Sequence, residues 1–571
     1  MTGEARASTN LLARSSRRSP GRRTLTRFQG YPRLLGRRHR GFSWSEGQPD
    51  TLPTARPPMR PSTVLILLTL LALDAGAETI TVNRTDDPAP RPCINDACRI
   101  EGCEPVACSL REAMLTATVN GAADNTIVLP AGDYTLTRGV LPAMNGQDLH
   151  IQGAGSAQTL IALDAGHSGG IMLKTGLNSQ LRLTGISLKA GGNPEWALMI
   201  SNSAFSADDI VIDAGSVLIS DSTATLRNAV VRRMFRNTGT TLIEDSALHR
   251  VHQPRVDFPA VPVQLTLRRT LVDDAIFPDA PFSSNFELRG GTMTIEDSTI
   301  TRSSMLVDKM LLTLRRVHYV DNAGPVSSYG GTTIVIEDSL FENNTNLALF
   351  GQLALNGDGS HWTIRGSTFR NNRSSRSVVG AVYMADGTTL DIRNSTFAGN
   401  SFSLDAPAGA RGAAIGFNGN AQVALRHVTI VPPAVMPIGT TGSAIGGTGT
   451  TATVGIYNSI VRGTCALEAG VLQGVSRGNI ESPGNTCGLS AATNQVSVTN
   501  AALALGTLAD HGGPTPTYSL NPGSVAIDNA NTLYYLHTDQ RGYLRSGANT
   551  SDIGAFEHDG IDRIFKNGFD G

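Results

Sequence analysis

A short pattern of apolar and polar residues recurs through the middle of the chain, between residues 181 and 461. Each copy has two or three alternating apolar positions, a polar pair, a small residue and a further apolar position. Strict alternation of this kind predicts a β-strand with one buried face. The copies are LRLTGISL (181–188), ATLRNAVV (224–231), TLIEDSAL (241–248), LTLRRTLV (265–272), MTIEDSTI (293–300), LTLRRVHY (312–319), IVIEDSLF (334–341), WTIRGSTF (362–369), LDIRNSTF (390–397), VALRHVTI (423–430) and VGIYNSIV (454–461).

The spacing of the copies predicts a stacked architecture. Successive copies are 17 to 43 residues apart, and the widest gap predicts a further copy at about 217–221. A unit this short cannot bury its apolar face alone and must rest on its neighbours. A propeller blade needs about 40 residues, and the leucine-rich repeat signature is absent. We therefore predict an all-β fold, a right-handed parallel β-helix whose coils stack about 4.8 Å apart.

The repeat also predicts which side chains share the interior. The apolar residue before each polar pair should stack from coil to coil, and the neighbouring Ser, Thr and Asn residues should form polar ladders at the turns. The stacked positions include Ile243, Ile295, Ile336, Ile364 and Ile392.

A different pattern precedes the repeat. Ser109 and Glu112 form a capping-box sequence, which predicts a helix over 109–119, and two strands are predicted within 125–136. An amphipathic helix here would cover the open edge of the first coil, where exposed strands would otherwise favour aggregation.

Charge and hydropathy divide the N-terminal region in two. Residues 1–58 contain twelve Arg, no Lys and three acidic residues, a composition that occurs in nucleic-acid-binding arms. However, Met59, Arg60, the apolar run 64–73 and the sequence Ala75-Gly76-Ala77 form a secretory signal with cleavage after Ala77. We interpret 1–58 as a disordered extension or as the product of a misassigned start. The remaining chain carries a net charge near −10, which disfavours nucleic acid as a partner.

The cysteines agree with export. An even number of Cys in an exported chain predicts disulfides. A zinc site on the first four is the alternative, although their spacing is loose for zinc. Three pairings of those four remain open, and the last two would form the remaining pair, with a contribution of roughly 3 kcal/mol. The six are Cys93, Cys98, Cys103, Cys108, Cys465 and Cys487.

Two further motifs resemble known families. The sequence CSLREA at 108–113 resembles the motif of the CSLREA domain, which begins exported bacterial proteins with right-handed parallel β-helices of the pectin-lyase-like type. Four fragments resemble the choice-of-anchor Q domain, and the tail IFKNGFD (564–570) is similar to a short tail on exported proteins of some Gram-negative bacteria. The resemblance implies fold and export and supplies no catalytic residue. The four fragments are GGPTPT (512–517), PGSVAID (522–528), TDQRG (538–542) and DIGAFE (552–557).

These observations predict six segments. They are an extension (1–58), a signal peptide (59–77), a Cys-rich, disulfide-stabilised helical cap (78–125), the β-helix (126–500), a choice-of-anchor Q-like segment (501–558) and a tail (559–571).

Candidate catalytic chemistry is sparse. Adjacent residues of a strand point to opposite faces, so Asp86-Asp87, Asp208-Asp209 and Asp273-Asp274 do not predict carboxylate pairs in space. The Glu-Asp pairs at 244–245, 296–297 and 337–338 would form either an acidic ladder or solvated turns. Arg268-Arg269 and Arg315-Arg316 would line a groove for acidic sugars or solvate turns. His249 and His252 lack a third metal ligand nearby. No catalytic residue, cofactor or metal ligand is predicted.

We therefore expect an exported, non-catalytic protein of the cell surface or the medium, which presents a long face for adhesion or for binding a glycan or a protein. The alternative is a polysaccharide lyase or glycoside hydrolase acting on an acidic polysaccharide, in a groove beside loops 346–361 and 401–422. Convergent carboxylates with an Arg in one groove would favour the enzyme. The sequence predicts no membrane span after Ala77 and leaves the oligomeric state open.

Overall fold

The computed structural model describes residues 77–89, 108–120, 122, 124–166, 171–190, 196–232, 235–249, 263–273, 286–346, 353–355, 359–374, 381–404, 406, 409–449 and 451–561. They lie within one compact unit, Leu73–Gly571. The extension 1–58, the signal sequence before Ala77, Cys93, Cys98, Cys103, His252 and the tail motif fall outside the described residues. No helix in the described part of the chain is long and apolar enough to cross a membrane.

The bounds of the elements follow in chain order. The first strands and the helix are β1 (Glu78–Thr81), α1 (Leu110–Val119), β2 (Asp124–Leu129), β3 (Gly132–Leu136), β4 (Asp148–Gly153), β5 (Thr159–Leu163), β6 (Ile171–Lys174), β7 (Gln180–Lys189), β8 (Trp196–Ser201), β9 (Ala204–Ala214), β10 (Ser216–Ser220), β11 (Thr223–Val231), β12 (Phe235–Asn237), β13 (Thr240–Glu244) and β14 (Ala247–His249). The middle strands are β15 (Gln264–Arg268), β16 (Leu271–Asp273), β17 (Phe286–Arg289), β18 (Thr292–Glu296), β19 (Thr299–Thr301), β20 (Met305–Asp308), β21 (Leu311–Arg315), β22 (His318–Val320), β23 (Val326–Tyr329), β24 (Thr333–Glu337), β25 (Leu340–Glu342), β26 (Thr345–Asn346), β27 (Leu353–Leu355), β28 (His361–Arg365), β29 (Thr368–Arg370) and β30 (Arg373–Ser374). The last elements are β31 (Val382–Met384), β32 (Thr389–Ala398), β33 (Ser401–Phe402), β34 (Ile415–Phe417), β35 (Gln422–Val431), β36 (Ile445–Gly447), β37 (Thr453–Tyr457), β38 (Ile460–Arg462), β39 (Cys465–Ala466), β40 (Ile480–Ser482), α2 (Asn500–Leu503), β41 (Leu505–Ala509), β42 (Thr517–Leu520) and a 3-10 turn (Thr532–Tyr534).

A typical coil of the middle region has three short strands, and the coils that contain β26, β30 and β33 have a further short strand after the second one. In the coil that begins at β18, a first strand is followed after a sharp bend by the second strand, β19, and after a wider turn by the third strand, β20. The same strands of successive coils pair in parallel, as β18 does with β21 and β19 with β22. The predicted right-handed parallel β-helix is confirmed, and the antiparallel ladder β41–β42 lies outside the repeat.

The predicted interior column is confirmed. Ile295, Ile336 and Ile364 are fully buried, and the parallel register places them in one line, coil after coil. The line runs through Ile243, Leu267, Ile295, Leu314, Ile336, Ile364, Ile392, Leu425 and Ile456. The shared column explains why a single coil is not stable on its own.

The bend between the first and second strands explains the polar part of the repeat. One residue there adopts a left-handed backbone conformation, with φ of 50° at Asp338 and 51° at Asp297, a conformation that Asp, Asn and Gly tolerate best. The next residue is commonly Ser. Ser339 Oγ donates to the carbonyl of Glu337 at 2.7 Å and accepts from the amide of Val317 at 3.1 Å. The hydroxyl therefore satisfies backbone groups that the bend leaves unpaired.

A second polar ladder follows the second strands, as predicted for the recurring Asn residues. Asn344 Nδ2 donates to Asn372 Oδ1 at 2.8 Å, and Asn372 Nδ2 donates to Asn400 Oδ1 at 3.0 Å, all inside the fold. Beside this ladder, the rings of Phe341, Phe369 and Phe397 stack with centroids 4.8 Å apart.

One predicted coil was misplaced. The segment 217–221 overlaps β10, which is a third strand. The first and second strands of the missing coil form one long strand, β9, which pairs with β7 on one side and with β11 on the other. Its sequence was missed because Ala207 and Asp208 weaken the apolar alternation.

The predicted cap helix is confirmed in part. Helix α1 begins after the N-cap Ser109, whose hydroxyl accepts from the amide of Glu112, and Glu112 completes the capping box. Cys108 is disulfide-bonded to a cysteine outside the described residues. The predicted disulfide between Cys465 and Cys487 is present, with Cα atoms 4.8 Å apart.

The segment 512–557, here called the strap, returns along the outer side of the second strands. Thr368 Oγ1 donates to the carbonyl of Pro516 at 2.7 Å, and Thr396 Oγ1 donates to Gln540 Oε1 at 2.6 Å. The amide of Ala555 donates to Thr429 Oγ1 at 3.0 Å. The motif residues that resemble the choice-of-anchor Q domain therefore bury one outer face of the last coils.

Candidate functional site

The charged residues of the repeat form a ladder of alternating sign along the outside of the first strands. Glu296 lies between Arg268, at 3.3 Å, and Arg315, at 2.9 Å. The acidic ladder considered above is wrong, because the same repeat position is occupied by Arg in the neighbouring coils. The full line is Arg227, Glu244, Arg268, Glu296, Arg315 and Glu337.

A second charged line follows the bend residues. Arg269 contacts Asp245 through two hydrogen bonds of 2.5 and 2.7 Å, and Arg316 contacts Asp297 in the same way. Hydrogen bonds from these guanidinium groups lower the pKa of Asp245 and of Asp297. The Arg-Arg pairs of the sequence therefore neutralise carboxylates of the adjacent coils, a role that neither earlier interpretation described.

The alternation ends in the later coils. Arg365, Arg393 and Arg426 occupy successive positions of the same line, and we call these three residues the arginine row. Arg365 contacts Glu337 at 2.5 Å, Arg393 contacts Asp391 at 2.5 Å, and Arg426 lies 4.0 Å from Asp391. Arg393 and Arg426 thus share one carboxylate, Asp391. Arg365 shares Glu337 with Arg315.

The acidic pairs of the sequence do not form a two-carboxylate site within the described residues. Asp87 binds Arg111 through two hydrogen bonds of 2.7 and 2.9 Å, so the Arg of the CSLREA motif holds the cap in place. Asp209 accepts from Ser156, whereas Asp208 accepts from Asn228 in the next coil.

The other predicted chemistry is similarly structural. Asp273 contacts Arg302 and lies 3.6 Å from His249. No group of three potential metal ligands occurs in the part of the chain that the structure describes.

A groove lies beside one of the two long loops that the sequence singled out. Its volume is about 410 Å³, and Leu404 and Val435 on its rim are 95% and 82% exposed. None of the described lining residues is acidic, so this described lining offers no carboxylate for general acid or base catalysis. The lining residues are Asn371, Arg373, Gly399, Ser401, Phe402, Leu404, Pro433, Val435, Met436 and Pro437.

The arginine row escaped the sequence analysis for a simple reason. The apolar alternation defines each copy, and in that pattern the residue after the repeated Ile or Leu is simply polar. Along the eleven copies this position is Thr, Arg, Glu, Arg, Glu, Arg, Glu, Arg, Arg, Arg and Tyr, a series that contains both the neutral ladder and the three successive Arg residues.

Comparison with known proteins agrees with the architecture. The family model described as a right handed beta helix region matches residues 279–431. The fold is thereby supported independently. No curated protein matches the chain.

Solved structures with a β-helix are similar at low sequence identity. The catalytic unit of a thermostable GH87 α-1,3-glucanase from Streptomyces thermodiastaticus strain HF3-3 is 13% identical, with a TM-score of 0.35, and the match covers 64% of this chain and 65% of that chain. The A-module of the mannuronan C-5 epimerase AlgE4 of Azotobacter vinelandii is 14% identical, with a TM-score of 0.30, covering 51% of this chain and 90% of that one. These likenesses concern the fold alone.

Proposed function

We propose that this chain is an exported, non-catalytic β-helix protein that binds a polysaccharide along the outer face of its first strands. The observation that carries the proposal is the state of the described acidic residues. The Glu residues of the charged line contact Arg in neighbouring coils, and the groove of about 410 Å³ has no acidic residue in its described lining. Hydrolysis of a glycosidic bond ordinarily requires two carboxylates about 5–10 Å apart across the scissile bond.

The outer face itself suits a polar polymer. The outward residues of the first strands are rich in hydroxyl and charged groups, in one register over many coils. Thr266, Thr294 and Thr313, for example, follow one another directly. Such a face offers similar hydrogen-bonding groups at several successive steps of the stack, which suits a ligand made of repeating units.

A polysaccharide panel tests the proposal. The purified protein is incubated with acidic and neutral polysaccharides, and both retention on the polymer and the appearance of new reducing ends or unsaturated sugars are measured. We expect retention on at least one polymer and no new ends. Cleavage that a single Asp or Glu substitution abolishes would show that the protein is instead a lyase or hydrolase.

A further inference from the structure

The arginine row is the place in the described chain where the charge pattern of the repeat is broken on an accessible face. The side chains of Arg365, Arg393 and Arg426 are 59%, 42% and 33% exposed. Each guanidinium has five N–H donors, and the contacts described above use only one or two of them. Donors therefore remain for a ligand.

The spacing of the row follows from the fold. Register-paired residues of adjacent parallel strands lie about 4.8 Å apart, and Arg365, Arg393 and Arg426 are paired in this way. Three guanidinium groups thus follow one another along the stacking direction, at intervals close to the length of one sugar unit. A polymer with one anionic group on each sugar would meet one Arg at each coil.

The strap supplies a wall beside the row. Residues 531–538 of the strap run along the bend residues next to the row, because Asn531 pairs with Asn458, at 2.6 and 2.9 Å, and the carbonyl of Thr538 accepts from Asn394 at 2.7 Å. The ring of Tyr534 stacks on Tyr457, with centroids 4.0 Å apart, and Tyr457 follows Arg426 in the line.

On the other side of the row, the outward residues are polar or small. Thr363 and Asp391 precede Ala424 and Gly455 in the neighbouring line of outward residues. The ring of Tyr457 lies over Gly455, so this line ends at the last coil. The row lies between the strap and this polar line and forms a cationic strip parallel to the stacking direction.

We propose that the arginine row binds a polysaccharide that carries a carboxylate on each sugar unit. This inference rests on the proposed function and names its ligand class. A guanidinium binds a carboxylate through two parallel hydrogen bonds. Three Arg residues in register therefore bind a polymer of carboxylates more tightly than a single carboxylic acid.

The test compares polygalacturonate, a sulfated galactan and neutral dextran. Binding of the purified protein to each is measured by titration calorimetry at two salt concentrations. We expect polygalacturonate to bind, with an affinity that falls as salt rises, and the other two polymers to bind at least about tenfold more weakly.

Two matched triple variants locate the site. The variant R365Q/R393Q/R426Q should bind polygalacturonate at least about tenfold more weakly, because three charge-assisted contacts are lost. The control variant R84Q/R232Q/R302Q removes three accessible, ion-paired Arg residues that lie outside the first strands, and it should keep the affinity within about twofold, since well-separated exposed charges are largely screened. R365K/R393K/R426K should recover part of the binding, and circular dichroism checks that each variant is folded.

The outcomes separate this inference from the proposed function. Equal weakening by both glutamine variants, equal binding of dextran, or equal binding of the sulfated galactan would overturn the assignment of the row to carboxylates. If a different polysaccharide binds and the row variant leaves its affinity unchanged, the row is not the site and the proposed function stands. If no polysaccharide binds, both are wrong.

Discussion

Two stretches of the β-helix share one backbone plan and differ in what lies on their outer surface: the coils between 223 and 342, and the coils between 361 and 462. In the earlier stretch the outward residue of the second strand stays accessible, and Leu271 is 36% exposed. In the later stretch the strap covers the same repeat position, and Thr368 and Thr396 are fully buried. The strap thus leaves the first strands as the open face of the later coils.

The same two stretches differ in charge. In the earlier coils each Glu of the line has Arg residues on both sides, as Glu244 has Arg227 at 3.0 Å and Arg268 at 2.8 Å. In the later coils the line is Arg at three successive positions and ends at Tyr457. The repeat therefore fixes where a side chain points, while its neighbours along the stack decide whether its charge is neutralised or remains available to a ligand.

The largest expected effect concerns the anchor that holds the strap on the later coils. Arg545 is fully buried, contacts Glu557 at 2.9 Å and donates to Asn394 Oδ1 of the β-helix at 3.1 Å. Arg545→Met leaves Glu557 buried without its partner, which should lower the free energy of unfolding by about 3–5 kcal/mol. Urea denaturation followed by circular dichroism measures the change.

The control for this variant is an exposed ion pair. Arg182 contacts Asp124 at 2.9 Å, with both side chains about 40% exposed, and Arg182→Met should cost less than about 1 kcal/mol. A loss of similar size in both variants would show that the strap is not anchored by its buried ion pair.

An intermediate effect is expected from the Asn ladder, which crosses from the earlier coils into the later ones. Asn372 accepts from the amide of Asn344 at 3.1 Å and donates to the carbonyl of Phe341 at 3.0 Å. Asn372→Ala leaves buried polar groups unpaired and should cost about 2–3 kcal/mol. Asn529→Ala, at an exposed position, should change stability by less than about 0.5 kcal/mol. Equal effects in the two variants would mean that water replaces the ladder at no cost.

Local patterns predicted the fold well because the same pattern of apolar and polar residues recurs in many copies. Alternation identified the strands, and the single residue before each polar pair identified the column that contains Ile295 and Ile336. The sequence did not reveal β9, because one copy with Ala207 and Asp208 departs too far from the pattern. It also gave no sign that Gln540 would reach Thr396, since that contact joins segments 144 residues apart.

The charged lines show more clearly what could not be predicted from the sequence of a single copy. Whether Glu296 is solvated or ion-paired depends on the register of three coils, and the sequence separates Glu296 from Arg268 by 28 residues. Once the coils are aligned position by position, the alternating signs are visible without coordinates. The contact between the strap and the coils beside the arginine row cannot be predicted in this way, because the strap is not part of the repeat.

The smallest effect compares one bend position in two coils that are separated by a single coil. The carboxylate of Asp297 faces Arg316, whose hydrogen bond lowers its pKa, so ionised Asp297 adds stability above its unfolded pKa and this stability is lost as pH falls through the folded value. Asp338 faces Gly366, where an added Cβ would lie 2.2 Å from its Oδ1, and burial, aided by Glu337, raises its pKa. Ionised Asp338 therefore costs stability at pH 7, and this cost disappears as pH falls below its unfolded pKa.

The Asn variants at these two positions should have opposite signs. Asn is already the bend residue at 394 and 458, so the substitution keeps a tolerated left-handed backbone. At pH 7, Asp297→Asn should lower the urea midpoint and Asp338→Asn should raise it. The Asp338 difference should vanish near pH 3, where the carboxyl groups of the unfolded chain are protonated, and the Asp297 difference should shrink as pH falls through the lowered pKa of Asp297. Changes of the same sign at pH 7 would mean that the bend carboxylates act through the backbone alone, and that the facing residue, Arg316 or Gly366, does not set the sign.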